Sequence, residues 1–239
     1  MATAMGLVTL DLPAPAQLRG RWAAFAAICA ARGWESTCHA RDGVWHFDDS
    51  GGNWAQLHLL DGGRAVLIGH DHEYSDTYYG PAAEEFGEDE TDLLANAPDW
   101  WRPVVRRTLD ARLLVGFVYG YDAAEGWRRA EYAVDDGFHS VGLPALTGRR
   151  THESIVAYAR HAPGAGGADA PREAVEALVA ADGEVTAAQV RAVVAPGAGG
   201  GRPASGAGGS TAAGAWDAAA GVAAARAFLT GLTADWLSG

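Results

Sequence analysis

The chain contains no lysine, and all 18 of its Lys+Arg cations are arginine. This excludes a standard phosphate-binding P-loop, which requires a lysine, and it excludes lysine-based Schiff chemistry. Cysteine is nearly absent, with two among 239 residues, so a disulfide scaffold and a four-cysteine zinc site are both excluded. No apolar run approaches the roughly 20 residues that cross a bilayer as a helix. Neither a Gly-x-Ser-x-Gly elbow nor a His-Glu-x-x-His helix occurs. Positive charge is scarce: 18 arginines face 30 Asp+Glu, for a net charge of -12. An acidic balance opposes broad nucleic-acid binding, which works by displacing counterions from phosphate, and it opposes anionic membrane surfaces. It attracts a protein partner of basic or mixed charge. No positive segment precedes the first cation, Arg19, so the sequence predicts a cytoplasmic protein with Cys29 and Cys38 as free thiols.

The residues are unevenly distributed. Nineteen of the 22 aromatics and all eight histidines lie in residues 1–161, whereas Ala and Gly supply 41 of the last 78 residues. This predicts a main domain over 1–161. A linker at 162–170, a helical hairpin at 171–195, a flexible Gly/Ala linker at 196–214 and a C-terminal helix at 215–239 are predicted to follow. In the hairpin, Thr186 and Gln189 read as a capping box. In the last helix, Trp216, Phe228, Leu232 and Trp236 predict an apolar stripe that covers the chain's own domain or builds a homo-oligomer.

Within the main domain, a short strand precedes a helix that opens at Pro15. An antiparallel meander follows, broken by Asp42-Gly43, by residues 48–52 and by Asp61-Gly62-Gly63. Thr91 is expected to cap a short helix through Leu93 and Leu94, and Asp99 to cap one from Trp100 to Asp110. An apolar strand over 113–121 and a hairpin partner over 127–134 complete the pattern. Strands and helices come in runs and do not alternate, so the predicted class is α+β: an antiparallel sheet packed with helices, plus a helical C-terminal appendage.

Two constellations carry the functional expectation. The first is acidic and aromatic. Glu84, Glu85, Glu88, Asp89, Glu90 and Asp92 place six carboxylates in nine residues, close in sequence to Tyr78, Tyr79, Trp100 and Trp101. Carboxylates attract a basic surface and aromatics supply contact area. Phe86 interrupts the run and is expected to anchor it to the core. The second is His70 and His72, expected on one side of a strand. With a two-residue turn at Gly62-Gly63, His70 would face Ala55 and His72 would face Asn53. Together with Asp76, or with His139 or His152, they would suit a divalent transition metal in a small hydrolase or oxygenase-like enzyme. The preferred reading of these histidines is structural: they close a sheet end through hydrogen bonds or sit half-exposed in a loop. The Asp135-Asp136 pair reads as a turn whose carboxylates could act as acid and base. With no catalytic motif and no cofactor signature, the preferred reading is a non-catalytic binding module, such as a regulatory or immunity-type inhibitor. The metal enzyme and the oligomeric scaffold are its alternatives.

Overall fold

The computed structural model describes residues 6–160, 169–194, 216–230, 232 and 236. The two expected linkers lie almost wholly outside the described residues. The protein is α+β. Its strands are β1 (Leu7–Leu10), β2 (Cys38–Arg41), β3 (Val44–Asp48), β4 (Trp54–Leu60), β5 (Arg64–His70), β6 (Phe117–Asp122) and β7 (Gly126–Ala130). They form one antiparallel sheet in the order β1-β7-β6-β5-β4-β3-β2. The helices are α1 (Pro15–Ala31), α2 (Pro81–Phe86), α3 (Arg102–Asp110), α4 (Gly148–Arg160), α5 (Arg172–Ala180), α6 (Ala187–Val194) and α7 (Ala218–Arg226). None of the described helices is long and apolar enough to cross a membrane.

The residues group into two compact units. One comprises Met1–Gln17, Arg41–Leu143 and Gly231–Gly239; the other comprises Leu18–Ala40 and Pro144–Thr230. In the first, Asp42 and Gly43 turn β2 into β3 with φ of 51° and 76°, left-handed values that Asp tolerates and Gly adopts freely. The β4–β5 loop has three residues, Asp61, Gly62 and Gly63, because Leu60 faces Arg64. The register therefore differs by one residue from a two-residue turn, and His70 faces Trp54 where the sequence reading placed Ala55. Central β5 is buried at Ala65, Val66, Leu67, Ile68 and Gly69, so both its faces are covered and it reads as a continuous apolar run. One sheet face carries Trp54, Val66, Ile68 and Val118, packed with Leu93, Leu94, Trp101, Val104 and Val105.

Two expected helix starts differ. Thr91 does not open a helix; its N–H donates to the Tyr78 carbonyl, and Asp92 turns the chain by accepting from the Leu94 N–H at 2.9 Å. Asp99 begins a 3-10 turn, Asp99–Trp101, and caps nothing through its side chain. Trp236 docks within this unit, donating from Nε1 to the Leu60 carbonyl at 3.2 Å with its ring 6.3 Å from Tyr121.

The second unit packs Ala-rich helices closely. A Cβ at Gly20 would lie 2.5 Å from the Val179 carbonyl, and one at Gly221 would lie 2.7 Å from that of Ala27. These contacts bring α5 and α7 against α1 at backbone distance. Arg19 grips Asp182 with two guanidinium hydrogen bonds. The capping box forms as read: the Thr186 N–H donates to Gln189 Oε1 at 2.9 Å, and the Gln189 N–H donates back to Thr186 Oγ1 at 3.3 Å. The expected single C-terminal helix is shorter than read. Asp217 caps α7, a 3-10 turn Ala227–Leu229 follows, and Thr230 is extended, so Phe228 and Trp236 do not share one stripe. Cys29 and Cys38 are free and buried, and burial pushes both thiols up, leaving them protonated and unreactive near neutral pH.

Candidate binding surface

The acidic run and its aromatic neighbours meet in the first unit. Gly80, at φ 59°, turns the chain into α2, and Pro81 occupies its first turn. Ala82 and Ala83 face inward, Gly87 closes the helix in the left-handed region, and the Gly80 N–H donates to Glu90 Oε1 at 3.0 Å. The acidic stretch is thereby folded back onto Tyr78 and Gly80 and held as a defined surface. Beside it lies a cleft of about 340 Å³, floored by Tyr79, Pro81, Ala82, Leu109 and Leu114, with Glu85 and Arg112 also in its wall.

All six carboxylates are exposed, and among the described residues none of them forms an ion pair. Phe86 does not anchor the run as expected. It is 55% exposed at the end of α2, its ring 5.9 Å from that of Tyr78, and Leu113 at the cleft is also exposed. The Tyr79 hydroxyl is held above its ordinary pKa, by burial first and then by Asp92 and Glu90, with Arg102 opposing. Asp92 and Glu90 thus lie close enough to act on a side chain that lines the cleft. Trp101 is fully buried, so its expected role in partner contact is replaced by a core role. Trp100, its neighbour, stays half-buried with the Arg64 guanidinium 5.4 Å from its ring. Adjacent helical residues cannot both face the core, and Trp101 took the inner position.

The histidine pair does not form the expected alignment. β5 ends at His70, and the His72 N–H turns away to Asn53 Oδ1 at 2.8 Å. Asp76 and His139 are exposed, and His152 belongs to the other unit. Among the described residues no group of three or more His, Cys, Asp or Glu is placed to hold a metal ion. His70 keeps a buried Nδ1 without a hydrogen-bond partner, and burial lowers its pKa.

What lies at this sheet end is a polar knot that sequence reasoning largely missed. Buried Asp71 accepts the N–H groups of Glu73 and Tyr74, forming a tight turn. Ser75 Oγ donates to the Asp136 carbonyl at 2.9 Å. The buried Asp136 carboxylate accepts both the Tyr119 hydroxyl at 2.6 Å and the Tyr132 hydroxyl at 2.7 Å on one oxygen. Burial and the adjacent Asp136 charge push both phenols well above their ordinary range, so they remain donors. The Asp135-Asp136 dipeptide was the only sequence signal; Tyr132 is four residues away, but Tyr119 and Ser75 are 17 and 61 residues away. Asp136→Ala would strand the buried Tyr119 hydroxyl and is expected to cost about 2 kcal/mol of stability. Urea unfolding of both proteins checks this, and superimposable curves would refute it.

Comparison with protein-family models, with curated proteins and with solved structures found no match.

Proposed function

We propose that the protein is a non-catalytic binding module that recognises a basic protein segment carrying an apolar anchor, in the manner of a regulatory or immunity-type inhibitor. The observation that carries this reading is a run of six exposed carboxylates, without ion pairs among the described residues, one of which, Glu85, lines an apolar cleft, with the exposed Phe86 next to it in α2. Exposed acids gain little from their own fold, and a partner's arginines or lysines supply the missing charge. The cleft receives an aliphatic or aromatic side chain, while Phe86 and Leu113 add contact area at its edge. Long-range attraction speeds encounter and apolar burial slows release. No observation favours the metal reading of His70, His72 and Asp76 over this one.

The test uses a labelled amphipathic peptide of Leu, Ala and Arg, with a control in which Glu replaces Arg. The Arg peptide should bind with an affinity that falls as salt is added, because screening shortens the reach of exposed charges. Neutralising Glu84, Glu85, Glu88 and Asp89 to their amides should weaken binding about tenfold, a loss of about 1.4 kcal/mol. Phe86→Ser should weaken it while leaving the salt dependence intact. Equal binding of the Arg and Glu peptides, or an unchanged affinity in the amide variant, would overturn the reading.

A further inference from the structure

Granted the partner reading above, on which this rests, we infer that the bound segment ends in the α2 cleft: its last residue is apolar, and Arg112 receives its free C-terminal carboxylate. The Arg112 N–H donates to the Leu109 carbonyl at 2.8 Å, and the Leu113 N–H donates to the Thr108 carbonyl at 3.3 Å. These two bonds close α3 in a Schellman motif, and Arg112 fills its left-handed position at φ 59°. Glycine is the residue favoured there, because a Cβ makes the left-handed region costly. The other described non-glycine residues with positive φ are Asp42, Ser50, Asn96 and Asp182, all short and polar. Arg112 is the one long side chain among them, so local stability does not account for an arginine at this position.

The strained residue lines the cleft beside Leu109, Leu113 and Leu114, and among the described residues of that lining it is the only cation. Glu85 shares the lining and five more carboxylates follow Tyr79 in the chain as far as Asp92, yet among the described residues Arg112 forms an ion pair with none of them. A guanidinium presents N–H donors in a rigid fork that matches a carboxylate with two parallel bonds. An apolar cleft with one unpaired cation in its wall and acids in the adjoining run is complementary to a chain end. The terminal side chain enters the cleft, its carboxylate meets Arg112, and basic residues upstream meet the acidic run. An anchor from the middle of a chain would bring the guanidinium only neutral peptide groups.

The test compares two labelled peptides of Ala and Arg that end in Leu, one a free acid and the other a C-terminal amide, by fluorescence anisotropy against the full chain. The protein's net charge of -12 favours the amide, which is the more positive peptide. A cation in the cleft favours the acid, so the sign of the difference separates local recognition from the general field. The acid should bind about tenfold tighter than the amide. Arg112→Gly should abolish this preference. Glycine also relieves the left-handed position, so the urea midpoint of that variant should be no lower than the parent's, and unfolding would not explain the loss. Arg112→Lys, which keeps the charge without the fork, should retain part of the preference. If the parent binds both peptides and the amide equally or more tightly, the chain-end inference is overturned and the partner reading stands. If it binds neither, both are overturned. A preference for the acid that survives in Arg112→Gly would also overturn the inference, because the carboxylate would then be held elsewhere.

Discussion

Gly120→Ala is expected to destabilise the first unit by about 3 kcal/mol, the upper end of what forcing an extra methyl into a packed core typically costs. Gly120 sits in β6 opposite Val66 of β5, and the indole of Trp101 packs closely against it. A Cβ at this position would fall 2.1 Å from Trp101 Cε2 and 2.2 Å from both Cζ2 and Nε1. Three ring atoms lie well inside contact distance, so rotating one bond cannot relieve the overlap. Trp101 is fully buried and packed with Leu93, Leu94, Val104 and Val105, which leaves the ring no empty space to enter. The glycine thus acts as a socket for the ring, and the close approach of strand backbone to indole is what seats α3 on the sheet. A double variant separates this account from a general intolerance of β6. Trp101→Leu is destabilising alone, but combined with Gly120→Ala it should cost less than the sum of the two single changes, because the smaller side chain leaves room for the methyl. Thermal or urea unfolding of the four proteins gives the coupling. Additive losses would refute the socket, as would a Gly120→Ala protein as stable as the parent.

The same contact explains why some of the fold could be read from sequence and some could not. Turn chemistry is local. Asp42-Gly43 and Gly62-Gly63 carried the meander, and Thr186 with Gln189 carried a helix start, because each depends on residues a few positions apart. Register depends on loop length, and one additional loop residue at Asp61 was enough to move His70 from Ala55 to Trp54. The acidic cleft was half legible. Charge and aromatic content marked residues 84–92, yet which aromatics face outward depends on where helices end. Phe86 lies at the last position of a six-residue helix, and the chain turns away at Gly87 before anything covers it. Trp101 and Trp100 are indistinguishable in sequence, and the socket at Gly120 selects between them. Asp136 could not be paired in advance with Tyr119 and Tyr132, since that contact requires the sheet to be in place. A low count of large side chains also understates how well helices pack. In the Ala-rich second unit, Gly20 and Gly221 permit backbone contact where bulkier residues would hold the helices apart.

Acidification should expose a second large effect, centred on His58. This side chain is 7% exposed on β4, and its pKa is lowered to about 4, by burial first and then by the positive charge of Arg107. Its Nε2 lies 3.1 Å from Gln56 Oε1, and the amide nitrogen of Gln56 lies 3.3 Å from His46 Nδ1. Gln56 can satisfy both only if His58 donates from Nε2 and His46 accepts at Nδ1; that donation is open to the neutral and the protonated ring alike, so burial and Arg107 are what hold His58 neutral. Above pH 6.5 the folded and unfolded chains are both neutral at this position, and the stabilisation is fully present. As pH falls from 6.5 towards 4, the unfolded chain takes up a proton that the folded chain refuses, and stability is lost progressively. The loss by the end of that window is about 3 kcal/mol, at about 1.4 kcal/mol per pKa unit. His58→Gln removes the titrating group while keeping an amide donor for Gln56. Stability measured by urea unfolding across this range should decline less steeply in the variant than in the parent. His70, whose pKa burial also lowers, contributes to the decline in both proteins, so the difference between the curves isolates His58. Parallel curves would mean that His58 is as easily protonated in the folded chain as in water, and the effect of burial and Arg107 on it would be refuted.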